Sequence, residues 1–255
     1  MKTANEIFEA ELARRGVSYS PTDEKDVYLV QTPDGEKTIC TENIGRNYLR
    51  DSDPNAIANF VEQILKPFTM PEWSDASKRV FYSAEPNDYD FIEFIKYEVS
   101  DDVVKIPVYI NQDEGCISWI NEKQLETWNI DKTTLENAID TNMAALLTDA
   151  DLEVNEIDGL QCGMIPISPI FKASIIFAPN FKEYITSKLS WPVLAVIPCR
   201  DFIFVVPKEH DALLNRMGTV VLREYNNSGY PITTEILLIS DEGIRAVGKY
   251  SDPNN

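Results

Sequence analysis

Short apolar runs joined by tight-turn signals are the feature that most constrains the fold of this chain. In its second half, segments of strand character are separated by only a few residues rich in Asp, Gly and Pro. The paired segments are 103–110 with 116–120, 152–157 with 161–167, 193–197 with 202–206, and 235–239 with 244–248. Such short connections join antiparallel neighbours, whereas parallel strands need a long crossover. The pattern therefore predicts an α+β fold with mainly antiparallel sheets and packed helices, not a doubly wound α/β fold.

The start of the chain carries the signals of a helix–hairpin–helix unit. Thr3 and Glu6 have the spacing of a capping box, which marks a first helix. The segment 27–40 alternates on both sides of a Thr-Pro-Asp-Gly turn and predicts a hairpin. Apolar residues at helical spacing through 57–65 then predict a buried helix. We therefore expect an N-terminal unit over residues 1–67.

The remainder is expected to form a larger domain behind a connector. Residues 68–102 contain two prolines and many aromatic side chains, and we interpret them as a connector that packs on the core. Residues 103–250 carry the paired strands and form the C-terminal α+β domain, while 251–255 are expected to be a disordered tail. Within that domain, a capping-box pattern that begins at Thr133 predicts a helix, and Pro107 suggests an edge strand.

The charge of the chain limits the partners that it can bind. Its 42 acidic and 23 basic residues give a formal net charge of −19. Nucleic-acid phosphates and anionic lipids normally bind to a Lys/Arg stripe, so we expect neither nucleic acid nor membrane as a partner. The same charge favours a basic protein partner and speeds encounter with it. Solubility alone is the simpler explanation of the charge, and the sequence leaves the oligomeric state open.

Cysteine usage and the N-terminal residues point to the cytoplasm. The four cysteines lie far apart and form no CxxC pair, so we expect them to be small buried hydrophobic residues in a reducing compartment. The first fifteen residues have no apolar segment of the signal-peptide type. No run approaches the ~20 apolar residues that span a bilayer.

The turn at 198–201 is the leading candidate site. Between two apolar strands it places Cys199, Arg200 and Asp201, and we add Ser174 as a residue that could lie nearby. Arg200 could hold a carboxylate or phosphate through its planar guanidinium, but a structural ion pair at the hairpin end is the commoner role. The strand after the turn separates Cys199 from His210, so we expect no Cys–His dyad.

Other candidate sites carry weaker signals. Tyr89 and Phe91 could form an aromatic binding ledge, although such a run more often packs on the core. The acidic runs 88–90 and 149–158 lack the spacing of a calcium loop. Thiols and histidine do not cluster as zinc ligands do, and neither GxxxxGK[ST] nor GxGxxG is present. We therefore expect no cofactor and no metal, and we assign no catalytic residue.

Four segments together resemble a bacterial family. Residues 172–179 resemble an A-S-x-x-x-x-P segment, 196–204 a P-x-R-D hairpin, 230–233 a Y-P-[LI]-[ST] segment, and 42–48 an L-E-N-x-Y-R-x-Y helix start. On these segments the chain resembles the YtpQ-like proteins, a group of cytosolic proteins whose domain has no known function. Cys199 stands where small polar residues are usual, and Gly45 where an aromatic residue is usual. The resemblance implies a cytoplasmic location and no specific activity.

The sequence thus favours a non-enzymatic, acidic interaction module of regulatory, inhibitor or immunity type that binds a basic or amphipathic protein. The alternative is a hydrolase or small-ligand-binding enzyme that uses the 198–201 turn, and it requires the side chains of that turn and Ser174 to converge in one pocket. A third possibility, a nucleic-acid mimic, would need regularly spaced carboxylates on one face, and the sequence shows no such spacing.

Overall fold

The structure is a computed structural model that describes residues 2–33, 35–67, 69–89, 93–111 and 116–251. Its contacts divide the chain into two compact units. The first unit comprises residues 1–70 and 227–230, and the second comprises 71–226 and 231–255. The segment 68–102, which we expected to be a connector, therefore lies almost wholly inside the second unit. Most of the expected tail at 251–255 falls outside the described residues.

Three helices and a three-stranded antiparallel sheet make up the first unit. The elements are α1 (Ala4–Arg14), β1 (Tyr19–Pro21), β2 (Val27–Thr32), β3 (Gly35–Cys40), α2 (Glu42–Asp51) and α3 (Pro54–Leu65). The capping box at α1 forms, because Thr3 Oγ1 accepts the Glu6 amide while Glu6 accepts the Thr3 amide. The core of the unit joins Phe8 and Leu12 of α1 to Tyr28 of β2 and Ile57 of α3.

The second unit contains two antiparallel sheets and five helices among its described residues. Its helices are α4 (Trp73–Ala76), α5 (Glu122–Trp128), α6 (Lys132–Thr148), α7 (Phe181–Thr186) and α8 (Leu214–Asn227). Its strands are β4 (Val80–Pro86), β5 (Tyr97–Glu98), β6 (Val103–Asn111), β7 (Cys116–Trp119), β8 (Glu153–Ile157), β9 (Leu160–Met164), β10 (Val193–Val196), β11 (Phe204–Pro207), β12 (Glu235–Ser240) and β13 (Gly243–Lys249). Every strand pair described is antiparallel, which confirms the predicted α+β class.

The first sheet of this unit is built around β6, which pairs with β4 on one side and with β5 and β7 on the other. The prediction that Pro107 marks an edge strand is therefore wrong. The Pro107 carbonyl accepts the Ile120 amide just beyond β7. In an antiparallel strand the N and C=O of one residue face the same neighbour, so the Pro107 nitrogen faces the gap between β5 and β7. The missing N–H consequently removes no ladder hydrogen bond.

The second sheet has the strand order β13-β12-β10-β11-β9-β8, with β8 and β13 at its edges. All six strands come from three of the predicted hairpins, namely β8–β9, β10–β11 and β12–β13. Its core joins Leu194 and Val196 of β10 to Val206 of β11, Leu238 of β12 and the helix α8. The strand β8 is exposed along most of its length.

The start of α6 differs from the predicted start. Asp131 is the N-cap, and its carboxylate accepts the Thr134 amide at 2.8 Å. Thr133 already lies within the helix, so the capping box that we assigned to Thr133 and Glu136 does not form. Among the described residues, no helix has both the length and the apolar composition required to cross a membrane.

Candidate functional site

The turn at 198–201 is fixed by backbone hydrogen bonds to segments distant in sequence. The Ile232 amide donates to Pro198 O at 2.8 Å, and the Ala173 amide donates to Arg200 O at 3.1 Å. Cys199 and Pro231 form an isolated antiparallel bridge. Three of the four segments on which the family resemblance rests, 172–179, 196–204 and 230–233, therefore meet at this turn. The contacts between them are backbone hydrogen bonds, which fix the position of the turn.

Arg200 points to a carboxylate that the sequence analysis did not single out. Its Nη2 lies 3.5 Å from Glu85 Oε1, and the Glu85 side chain is only 4 % exposed. Ser83, on the same face of β4, donates its hydroxyl to the same oxygen at 2.6 Å. A carboxylate taken out of water requires such a charged partner and hydrogen-bond donor. Arg200 therefore neutralises a buried strand residue, which matches the structural alternative for this side chain.

Ser174 also has a structural partner. Its side chain is buried, and its Oγ accepts the amide of Ala84 at 3.0 Å. Ala84 lies on β4, an outer strand of its sheet, so this amide has no neighbouring strand on that side. Asn142 acts in the same way further along the edge, because its Nδ2 donates to Val80 O at 2.9 Å. Both side chains satisfy the polar edge of a strand that is buried throughout.

Cys199 and Asp201 form a second, local pair. The buried Cys199 thiol donates to Asp201 Oδ1 at 3.0 Å, within one turn of chain. His210 lies elsewhere, where its Nδ1 accepts the Gln161 amide at 2.9 Å. The structure thus places Ser174 and Arg200 against β4 and pairs Cys199 with Asp201, and it shows no Cys–His contact among the described residues.

Most of the described aromatic residues of segment 68–102, which we expected to be a connector, pack against other side chains. Phe81 and Tyr82 are buried in β4, and Phe94 packs on Trp119 with ring centroids 5.3 Å apart. Tyr89 is exposed, at 37 % of its surface, in the chain that follows β4. Phe91 lies outside the described residues, so the proposed ledge of Tyr89 and Phe91 stays a prediction.

The acidic segments hold no clustered metal ligands in the described part of the chain. In the 149–158 run, Asp151 pairs with Lys188 at 2.5 Å and Asp158 pairs with Arg216 at 2.6 Å. These contacts are exposed ion pairs on the surface of the molecule, which is the usual role of a charged run.

An acidic cleft lies between α5 and α6. It is an open depression of about 330 Å³, and its lining residues are Glu122, Leu125, Glu126, Asn129, Ile130, Asp131 and Lys132. The hydrogen bond from Thr134 holds the pKa of Asp131 below its usual value, so this carboxylate stays ionised. Lys132, the one basic residue of the lining, is paired with Glu122 at 2.6 Å. Glu126 and Asp131 have no such cation in the lining, and the cleft therefore carries net negative charge.

A second group that the sequence analysis missed surrounds Lys105 on β6. Its Nζ lies 4.1 Å from the centre of the Tyr82 ring, 5.1 Å from Tyr97 and 5.8 Å from Phe177. The sequence did hold a signal, because Lys105 is the only charged residue in the apolar segment 103–110. Its aromatic neighbours come from three separate segments, so their convergence is visible only in the folded chain.

No known protein family, curated protein or solved structure matches this chain.

Proposed function

We propose that this chain is a non-enzymatic, cytoplasmic interaction module that binds a basic or amphipathic protein segment in the cleft between α5 and α6. The observation that supports this function is the lining of the cleft. The lining combines carboxylates of Glu122, Glu126 and Asp131 with the apolar residues Leu125 and Ile130. A Lys or Arg side chain offers the matching chemistry, since its aliphatic stem packs on apolar surface while its charge meets carboxylates.

The distribution of charge supports the same site. Residues 71–255 contain 30 acidic and 15 basic residues, so that part of the chain carries −15 of the total −19. A field of one sign attracts a basic partner from a distance and raises the association rate. Exposed charges are screened within about 8–10 Å at physiological salt, so binding should weaken as salt increases.

The alternative enzymatic role of the 198–201 turn gains no specific support. Ser174 and Arg200 contact groups of β4, and Cys199 contacts Asp201, as described above. None of these four residues lines the cleft between α5 and α6. None of them lines a second cavity of about 180 Å³ either, whose walls are Pro86, Asp88, Asp101, Asp102, Tyr225, Ile232 and Lys249. The relationship to the YtpQ-like proteins stays a prediction, and it would add no activity to the proposal.

The test is binding of an amphipathic peptide with Lys and Arg on one face, measured by isothermal titration calorimetry with the full chain. The variant Glu122→Gln/Glu126→Gln/Asp131→Asn removes three charges from the cleft, and Asn keeps the capping ability of Asp131. With each exposed pair contributing about 0.5 kcal/mol, the triple variant should bind about tenfold more weakly.

The matched control removes three charges from another surface, Asp149→Asn/Glu153→Gln/Glu156→Gln. These residues are exposed near the end of α6 and on β8. The control should retain most of the affinity if the cleft is the site. Equal weakening by both variants would show that only the overall charge matters, and an unaltered affinity of the cleft variant would refute the site.

A further inference from the structure

The amine of Lys105 is held in a box of aromatic rings on the face of the sheet that α6 covers. Tyr97 of β5 and Ala84 of β4 are the direct cross-strand neighbours of Lys105. Tyr82 stands two residues before Ala84 and so projects to the same face. The Tyr82 ring is nearly perpendicular to those of Tyr97 and Phe177, at 88° and 82°. The rings therefore form walls around the amine.

Two carboxylates of α6 border this box. Glu136 and Asp140 are one helical turn apart, and Glu136 Oε1 accepts the Tyr97 hydroxyl at 2.5 Å. Among the described residues, no carboxylate forms an ion pair with Lys105, whose recorded contacts are the three rings. Most other lysines of the described residues have a carboxylate partner, as Lys132 and Lys188 do. The box thus holds the amine of Lys105 without an ion-pair partner, next to the carboxyl groups of Glu136 and Asp140.

Burial makes this amine easier to deprotonate. It lowers the pKa of Lys105, and the charges of Asp140 and Glu136 oppose that shift only in part. Partial desolvation by neighbouring protein atoms raises the pKa of Asp140, so this carboxyl holds its proton to higher pH than a fully solvated aspartate. Imine formation uses a neutral amine and a protonated acid. The shift at Lys105 increases the fraction of neutral amine, and the shift at Asp140 increases the fraction of protonated carboxyl. Lys105 and Tyr97 are half-buried and Asp140 is exposed, so a small molecule can approach from the solvent side.

We propose that Lys105 is a covalent and reversible binding site for small neutral aldehydes or ketones, which its amine captures as an imine. The site is independent of the cleft between α5 and α6, and it requires no catalytic turnover. The aromatic walls favour a flat, apolar carbonyl compound. The carboxylates of Glu136 and Asp140 disfavour one that carries negative charge.

The capture step balances without any further reagent. The lone pair of Lys105 Nζ attacks the carbonyl carbon, the carbonyl π electrons move to oxygen, and one proton passes from nitrogen to that oxygen to give a carbinolamine. A second proton, supplied by a neighbouring carboxyl group, then converts the hydroxyl into water, which leaves as the nitrogen lone pair forms the C=N bond. The iminium formed in this way returns its N–H proton to the carboxylate and becomes the neutral imine. One amine and one carbonyl thus yield one imine and one water. The carboxyl groups of Asp140 and Glu136 are the groups beside the amine that can supply and accept these protons.

The experiment treats the full chain at neutral pH with benzaldehyde and sodium cyanoborohydride, which reduces an imine to a stable secondary amine. Peptide mass spectrometry then measures modification at each lysine. Lys123, exposed on α5, is the internal reference. Lys105 should react at least about fivefold faster than Lys123, because the fraction of neutral amine increases tenfold for each unit by which the pKa falls. 4-Carboxybenzaldehyde, the anionic analogue, should lose this preference for Lys105.

Two variants complete the test. Lys105→Arg keeps a positive charge within the box and should remove the fast-reacting site while leaving Lys123 unchanged. Four titratable groups face the amine of Lys105: Tyr82 and Tyr97 from the sheet, and Glu136 and Asp140 from α6. Glu136→Gln removes a negative charge that raises the pKa of Lys105, so it should shift the pH profile of modification at Lys105 to lower pH. The proposal is overturned if native Lys105 reacts no faster than Lys123, or if the anionic aldehyde modifies Lys105 as fast as the neutral one. Both results come from the native chain, so they hold even if a variant fails to fold.

Discussion

The hydroxyl of Ser174 accepts the amide of Ala84 at 3.0 Å, across 90 residues of sequence. The contact closes the open side of β4, a strand buried along its whole length. A backbone amide at such an edge would otherwise be removed from water without a partner. Ser174 thus provides a hydrogen-bond acceptor where a further strand would otherwise lie, as Asn142 provides a donor further along the same edge.

The first prediction concerns this contact. Ser174→Ala should lower the free energy of unfolding by about 1–3 kcal/mol, because it leaves a buried amide without an acceptor. Urea unfolding followed by circular dichroism measures the change. Ser187→Ala, which removes an exposed hydroxyl, should stay within about 0.5 kcal/mol of the native chain. A similar small effect at Ser174 would contradict the assignment.

The second prediction concerns Arg200 and Glu85. Arg200→Met leaves the Glu85 carboxylate buried without its cation, so we expect a loss of about 2 kcal/mol, somewhat below the range for fully buried pairs because Arg200 is partly exposed. Adding Glu85→Gln to that variant should restore part of the loss, which a double-mutant cycle measures. Arg216→Met breaks an exposed pair and should cost less than about 1 kcal/mol. Equal costs at Arg200 and Arg216 would refute the buried-pair interpretation.

The third prediction concerns pH. Hydrogen bonds from Arg14 and Arg15 lower the pKa of Glu11 from 4.5 to about 2. Since the folded pKa lies below the unfolded one, the stabilisation is present above pH 4.5 and is lost as the pH falls through about 2. Glu11→Gln should therefore cost about 1 kcal/mol at pH 6, after allowance for solvent screening, and much less near pH 2. Urea unfolding at both pH values tests this, and an equal cost at both would argue against it.

The fourth prediction distinguishes two candidate caps of α6. Asp131→Ala should cost about 1 kcal/mol, whereas Asp131→Asn should cost little, because Asn also accepts the Thr134 amide. Thr133→Ala should have a small effect, since Thr133 lies within the helix and makes no cap bond. Thermal unfolding of the three variants gives the comparison, and a larger effect at Thr133 than at Asp131 would reverse the assignment.

The sequence predicted best the elements whose partners are neighbours along the chain. The hairpins β8–β9, β10–β11 and β12–β13 were all recognised, because a turn signal lies between two apolar runs. The α+β class followed from them. The cap of α6 was misplaced because Asp131 and Thr133 offer overlapping capping patterns two residues apart, and only the backbone geometry decides between them.

Elements with distant partners were less accessible. The strand β4 pairs with β6 over its full length, but sixteen residues rich in aromatic and acidic side chains separate the two, so the sequence indicated only a packed connector. The turn at 198–201 was recognised as polar, yet the residue that Arg200 neutralises lies on β4, more than a hundred residues earlier. The box around Lys105 draws its walls from three segments, and no local pattern encodes such a meeting.

The strand β8 ends its sheet with an open row of backbone groups, and it carries Glu153 and Glu156 on exposed positions. The unpaired N–H and C=O groups of such an edge can hydrogen-bond to the same strand of another molecule, which is a route to aggregation. Two copies that approached one another along β8 would bring carboxylates face to face, where like charges repel. Part of the acidity of this chain therefore acts against self-assembly, and it keeps concentrated molecules apart in solution.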